Sequence, residues 1–298
     1  MERTLCSVAL LLCSCAASPA ANGQSVIPLW PQGLPADAVP VAPERIESLK
    51  AKQTPDRVTY VATPSLTLYR APADQANGCG VVICPGGAYN ILAWQKEGIE
   101  LAQWFNSLGV TAVVLKYRVP RRHPDKIHWE PLQDAQRAIR LFRHHAGEWQ
   151  IDPHRIGVLG FSAGGHLSAM TGMHWAKRSY PRVDEIDDLS CRPDYICPIY
   201  AAYLADGYQD NVAELGSLVK VNAQTPPTFL AVTQDDKMRG AQAALLFVEL
   251  KKAGVPAELH VYTRGGHGYG IRSSDRPVTT WHHRLGEWLA SQGFLKRR

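Results

Sequence analysis

A serine, a histidine and a pair of aspartates stand out by type and spacing. Ser162 lies in Gly160-Phe161-Ser162-Ala163-Gly164, a G-x-S-x-G run. A serine hydroxyl is a poor nucleophile at neutral pH until a base takes its proton, and histidine is the side chain whose ordinary pKa suits that task. Of the eleven histidines, His267 alone sits in a glycine-lined loop, Arg264-Gly-Gly-His-Gly-Tyr-Gly270, directly after a strand-like run. Gln234-Asp235-Asp236 offers a carboxylate that can orient an imidazole, and Asp206 is an outlying alternative. Serine, acid and histidine in this chain order suit attack on a carbonyl carbon and formation of a covalent acyl intermediate.

Such a serine must be held at the apex of a sharp strand-to-helix turn. The apolar run Ile156, Val158 and Leu159 supplies a strand buried on both faces. Gly160 and Gly164 are small enough for the strand and the following helix to pass each other. The helix then aims its first amides at the serine, so the Ala163 N–H can stabilise a negatively charged oxygen. A second donor is expected after the strand Gly80–Cys84, where Pro85-Gly86-Gly87-Ala88-Tyr89 lets backbone come close to a bound carbonyl; Gly87 and Ala88 are the candidates.

The remaining periodicities build a scaffold for these turns. Strands are expected at 57–61 and 66–69 as a hairpin, then at 110–115, 195–200, 228–233 and 257–262. Helices are expected at 98–108, 132–146, 241–253 and 278–289, with Arg137, Arg140 and Arg143 largely outward. Repeated strand–helix alternation predicts an α/β fold, a mostly parallel central sheet with helices on both faces. The aspartates at 235–236 would then project from the carboxyl edge of the sheet, the same edge as Ser162.

The 298 residues, 20% charged and 45% hydrophobic, suit one large domain with a sizeable core. A formal net charge of +5, spread along the chain, points to no nucleic-acid or membrane surface. Residues 1–23 read as a signal peptide: Arg3, an apolar segment from Leu5 to Cys15, then small residues, with cleavage after Ala20 or Gly23. Export to the periplasm or the exterior follows, and Leu12-Cys13-Ser14-Cys15 approximates a lipoprotein pattern, so membrane attachment is expected only if Cys15 is lipidated. A proline-rich stretch over 24–56 is expected to wrap the surface as an extended arm, leaving 57–298 as the catalytic domain. Cys191 and Cys197 are spaced so that they can pair in an exported protein, and no Cys/His spacing resembles a zinc site.

Several blocks together resemble a known family. Pro-Gly-Gly-Ala-Tyr at 85–89, Glu97-Gly98, Leu115-Lys-Tyr-Arg118, Asp134-Ala-Gln-Arg-Ala138, Trp149-Gln-Ile-Asp-Pro153, Gly160–Leu167 and Arg192-Pro-Asp194 are similar to the exported bacterial α/β-hydrolases related to acetyl xylan esterases and bifunctional feruloyl/acetyl esterases. The likeness runs from about Val81 to His267, with one departure: Ala88 stands where the family often has a third glycine. The resemblance implies a serine esterase acting on acetyl esters of plant cell-wall polysaccharide, with Ser162 as nucleophile, His267 as base and an oxyanion hole at Gly87, Ala88 and Ala163. The acid loops of related serine hydrolases favour the earlier aspartate, Asp235, over Asp236. Substrate contacts are expected from Tyr89, Trp94, Trp129 and Tyr269, and no metal or cofactor is required. A serine peptidase of the prolyl-oligopeptidase type shares the elbow and acid loop, but such enzymes usually carry a β-propeller for which the chain before the sheet leaves no room. A non-catalytic binding module on the same fold predicts a lost triad member, whereas all three are present.

Overall fold

The computed structural model describes residues 18–19 and 25–296. The expected signal peptide, Ser18 and Pro19 apart, and Cys15 therefore lie outside the described residues. The strands are β1 (Ser18–Pro19), β2 (Ser25–Pro28), β3 (Ser65–Tyr69), β4 (Gly80–Cys84), β5 (Thr111–Lys116), β6 (Ile156–Phe161), β7 (Tyr195–Ile199), β8 (Thr228–Thr233) and β9 (Ala257–Tyr262). The helices are α1 (Pro43–Lys50), α2 (Glu100–Ser107), α3 (Trp129–His144), α4 (Ala163–Met173), α5 (Arg239–Lys252) and α6 (Trp281–Ser291). All nine strands form one sheet in the order β1-β2-β3-β5-β4-β6-β7-β8-β9, antiparallel up to β5 and parallel from there on.

Alternation along the strands divides the core into two faces. Val82 and Cys84 of β4 point with Val113 and Leu115 toward α3, α4 and α5, whereas Val81 and Ile83 point with Ala112 and Val114 toward α2 and α6. Strand β4 is followed by α2 and a return to β5 on one side, while the neighbouring β6 is followed by α4 and a move to β7 on the other. The loops after β4 and β6 thus leave in opposite directions from adjacent strands. Such a switch point opens a crevice at the carboxyl edge of an α/β sheet. With Cys84 paired to Gly160, Pro85–Ala88 and Phe161–Ser162 emerge into that crevice side by side.

Four expectations are corrected. Residues 57–61 are not a strand: β2 occupies the edge of β3 where the hairpin partner would lie, and Val58 instead exchanges both backbone hydrogen bonds with Leu92, at 3.0 and 2.8 Å. The 24–56 stretch is not merely an extended arm, since it holds β2 and α1, and Trp30 is buried with its indole N–H donating to Asp134 at 2.8 Å. Arg137 and Arg140 are buried rather than outward, because a turn at Glu185–Asp188 brings Asp187 to 2.9 Å from the Arg137 guanidinium and residue 189 presents its carbonyl to Arg140. Cys191 and Cys197 are not paired with each other, for they lie on opposite faces of the sheet: Cys197 with the α2/α6 core and Cys191 with the α3/α4 core, its thiol donating to the Trp175 carbonyl at 3.3 Å.

Candidate active site

The turn after β6 holds Ser162 at φ 54°, ψ −116°, a left-handed conformation that a non-glycine residue adopts only under constraint. The two flanking glycines supply that constraint. A Cβ on Gly160 would stand 1.9 Å from the Gly164 carbonyl oxygen, and one on Gly164 would stand 2.0 Å from the Cys84 oxygen. No larger residue fits at either place, which is why the elbow needs both.

His267, exposed in the loop after β9, brings Nε2 to 2.8 Å from Ser162 Oγ. Its Nδ1 lies 2.6 Å from Oδ2 of Asp236, and Asp236 is only 3% exposed. The other Asp236 oxygen accepts from Arg239 Nη1 at 2.5 Å, and Arg239 Nη2 reaches Asp210 at 2.7 Å. Serine, imidazole and carboxylate are therefore in line, as general-base activation requires.

The carboxylate on the histidine is Asp236, so the choice of Asp235 is corrected. Gln234 still continues β8, donating its N–H to Tyr262 at 2.8 Å, and the chain then turns with the Asp236 N–H on the Thr233 carbonyl at 3.3 Å. The turn leaves Asp235 in solvent and folds Asp236 inward. The Asp235 carboxylate accepts from the backbone N–H of Gly266 at 2.8 Å and of Gly265 at 3.1 Å, which holds its pKa below the usual carboxylate value. Its place is to fasten the histidine loop. Asp206 takes no part in this contact and accepts from the Ser217 N–H at 2.8 Å.

The loop after β4 stands against the serine: a Cβ on Gly86 would come within 3.0 Å of Ser162 Cβ. Gly87 has φ 134°, and a Cβ there would lie 2.2 Å from the Ile91 oxygen; Ala88 and Tyr89 follow, both at φ 57°. Among the described residues, no group accepts from the backbone N–H of Gly87, Ala88 or Ala163. These are the free donors that an oxyanion hole calls for.

Behind the loop sits a group that the sequence marked only as part of a motif. Glu97, 5% exposed, accepts from the Gly86 N–H at 2.8 Å through one oxygen and from the Tyr200 hydroxyl at 2.9 Å through the other. The Tyr200 ring packs edge-on against His267 with centroids 5.0 Å apart, and its hydroxyl accepts from the Gly270 N–H at 3.3 Å. Glu97 thus braces the loop after β4 and the histidine loop at once, and burial raises its pKa. Lys96, next to it, donates to the Gly268 carbonyl beside His267. Neither Arg239 nor Tyr200 carried a sequence signal, because each acts through a turn that exists only in the folded chain.

The expected substrate contacts fare unevenly. Tyr89 is fully buried, its hydroxyl 2.9 Å from His166 Nδ1, and Tyr269 lies under Tyr200 with its hydroxyl donating to the Ala231 carbonyl at 3.3 Å. Both are packing residues, not cleft walls. Trp129 opens α3, three residues ahead of the expected start at 132, where Pro131 in the first turn lacks only an N–H that would have no helical partner; its indole donates to Asp37 at 3.2 Å. Trp94 is half-buried between the two cores, immediately before the turn that carries Glu97.

Comparison with known proteins agrees with this geometry. The family described as BD-FAE matches residues 66–191, which include Ser162, and the prolyl oligopeptidase family matches residues 196–293, which include Asp236 and His267. An acetylxylan esterase of Xylanibacter ruminicola is 27% identical over 243 residues, covering 73% of this chain and 46% of that protein. An endo-1,4-beta-xylanase B of Butyrivibrio fibrisolvens is 30% identical over 257 residues, covering 80% of this chain and 39% of its own length. The chain thus spans less than half of each of these relatives. A solved structure, an acetyl ester-xyloside bifunctional hydrolase from Caldicellulosiruptor lactoaceticus, is 36% identical with a TM-score of 0.69, covering 91% of this chain and 97% of that one. On the fold, the serine elbow and a likeness that runs nearly end to end over that structure, the chain belongs to the same α/β-hydrolase family as that bifunctional hydrolase.

Proposed function

We propose that this protein is a serine esterase that removes acetyl groups from xylan or a related plant polysaccharide. The observation that carries the reading is the line Ser162–His267–Asp236, with contacts of 2.8 and 2.6 Å, on a strained elbow beside three unengaged amides. The Ser162 hydroxyl donates to Nε2 of His267, whose Nδ1–H donates to Asp236. His267 takes the serine proton as Oγ attacks the ester carbonyl, and the negative oxygen forms against the N–H groups of Gly87, Ala88 and Ala163. The tetrahedral centre collapses, the C–O bond to the sugar breaks, and His267 returns its proton to the departing hydroxyl. Water then attacks the acyl-serine by the same route, giving acetate and free Ser162. Buried Asp236, charged and held by Arg239, stabilises the imidazolium in each half.

The acetylxylan esterase and bifunctional hydrolase among the relatives support the polysaccharide substrate, and the export pattern at residues 1–23 suits it. The test is acetate release from a small acetyl ester and from acetylated xylan, beside Ser162→Ala. The wild type is expected to act on both, and the variant to fall by about 10⁴- to 10⁶-fold. A folded wild type inactive on both esters would overturn the esterase. Because the acid and the histidine lie in the stretch matched by the prolyl oligopeptidase family, a proline-containing peptide amide belongs in the same assay. Faster cleavage of the amide than of the esters would replace the reading with a peptidase.

A further inference from the structure

Beside the oxyanion loop lies an open cleft of about 510 Å³ that the ester chemistry does not use. Its lining includes Arg45, Asn90, Arg121, Arg122, His123 and Tyr203, and contains no aspartate or glutamate. Arg45 and Arg121 are exposed, and among the described residues neither forms an ion pair with a carboxylate. The Arg122 side chain is only 5% exposed; its Nη atoms reach the Val61 carbonyl at 3.1 Å and Glu130 at 3.5 Å, while Nε has no partner among the described residues. Nε2 of His123 is likewise buried and without a partner. Glu130 is shared with Arg118, so it does not neutralise Arg122 alone. The carboxylate that touches the lining, Asp210, accepts from the Tyr203 N–H at 2.8 Å and is already paired with Arg239 at 2.7 Å, and Asp206 holds Ser217. Three arginines thus line this cleft with no carboxylate among its lining residues, and the two carboxylates that reach its edge, Glu130 and Asp210, are each shared with an arginine outside it.

The cleft is tied to the reacting centre by backbone. The Asn90 N–H donates to the Gly87 carbonyl at 2.9 Å, the Arg121 N–H donates to Tyr89 at 2.6 Å, and Tyr203 follows Ala202, whose N–H donates to the Ser162 carbonyl at 3.1 Å. Tyr203 is half-buried at φ 62° and stacks on buried Tyr89 with ring centroids 6.2 Å apart. Strained backbone of this kind is kept where surroundings fix it for a purpose. An acetyl or feruloyl ester offers these guanidinium groups no charge, so the cleft is built for another part of the substrate.

We infer that the cleft is a carboxylate subsite, taking a uronic acid residue of an acidic glycan adjacent to the acylated sugar, with Arg121 and Arg45 as its charged contacts and Tyr203 as the platform for the sugar ring. This rests on the esterase reading above. A guanidinium–carboxylate contact of this kind is worth about tenfold in affinity or more. The experiment compares kcat/KM for acetylated xylo-oligosaccharides with and without a uronic acid branch, in the wild type, Arg121→Gln and Arg45→Gln. A small neutral acetyl ester is run beside them, and Ser162→Ala, with and without Arg121→Gln, is titrated with the deacetylated acidic and neutral oligosaccharides. The wild type is expected to favour the acidic substrate by about tenfold, the ratio to collapse in Arg121→Gln, and the acidic ligand alone to lose affinity in the doubly substituted protein. Equal rates on the two oligosaccharides, or a preference untouched by both substitutions, would overturn the subsite. Failure of the esterase reading is separate: it silences the small ester too, while the binding titration still reports on the cleft.

Discussion

Replacing Asp236 by asparagine probes the site at the point where structure and sequence disagree. One Asp236 oxygen accepts from Arg239 Nη1 at 2.5 Å and the other faces His267 Nδ1 at 2.6 Å. An asparagine has a single acceptor oxygen, and Arg239, which can only donate, claims it. The amide NH₂ is then turned toward His267, so Nδ1 must accept and the ring proton moves to Nε2. An imidazole with its proton on Nε2 cannot take the serine proton, and the neutral amide no longer stabilises the imidazolium. The expected loss in kcat is about 10⁴-fold, or about 5.4 kcal/mol of transition-state stabilisation, with KM little changed. Asp235→Asn should behave differently, because its carboxamide oxygen can still accept from the Gly266 N–H, now 2.8 Å from Asp235. It should cost less than about tenfold, through looser anchoring of the histidine loop. Steady-state hydrolysis of a small acetyl ester, with circular dichroism to establish folding, reads both. A folded Asp236→Asn protein within tenfold of wild type, or Asp235→Asn falling as far as Asp236→Asn, would refute this reasoning.

Two further outcomes test the assignments around the site. Tyr89→Phe removes the hydroxyl 2.9 Å from His166 Nδ1 and leaves the buried ring without a polar contact, since His166 Nε2 already has none among the described residues. Urea denaturation should show a loss of about 1–3 kcal/mol with KM for a small ester unchanged, and a raised KM at unchanged stability would restore Tyr89 as a substrate contact. Burial lowers the His128 pKa from 6.5 to about 4, and burial also depresses His166. Unfolded chains bind those protons more readily, so stability should fall as pH drops from about 6.5 toward 4, by about 3 kcal/mol for His128 alone. His128→Gln should flatten part of that slope in denaturation curves taken across this range, and a slope equal to the wild type's would contradict the assignment.

Much of this protein can be read from its residues in order. The elbow at Ser162 was legible because sterics demand glycine at 160 and 164, and His267 because a histidine amid glycines after the last strand has few structural reasons to be there. Strand and helix placement followed from buried apolar runs, and β8 and β9 fall on the expected residues. The misreadings share one cause. Whether Asp235 or Asp236 meets the histidine depends on a turn after β8 and on Arg239 a helical turn later; whether Arg137 faces water depends on carboxylates some fifty positions on, Asp184 and Asp187. Tyr89 and Tyr269 are aromatic residues of the kind that line clefts, and only packing sends both of them inward. Periodicity and small-residue requirements are local steric facts that the sequence carries at each position. Which of two adjacent side chains points inward, and which charges meet, is decided by long-range contacts that exist once β4 and β6 stand side by side and their loops share one crevice.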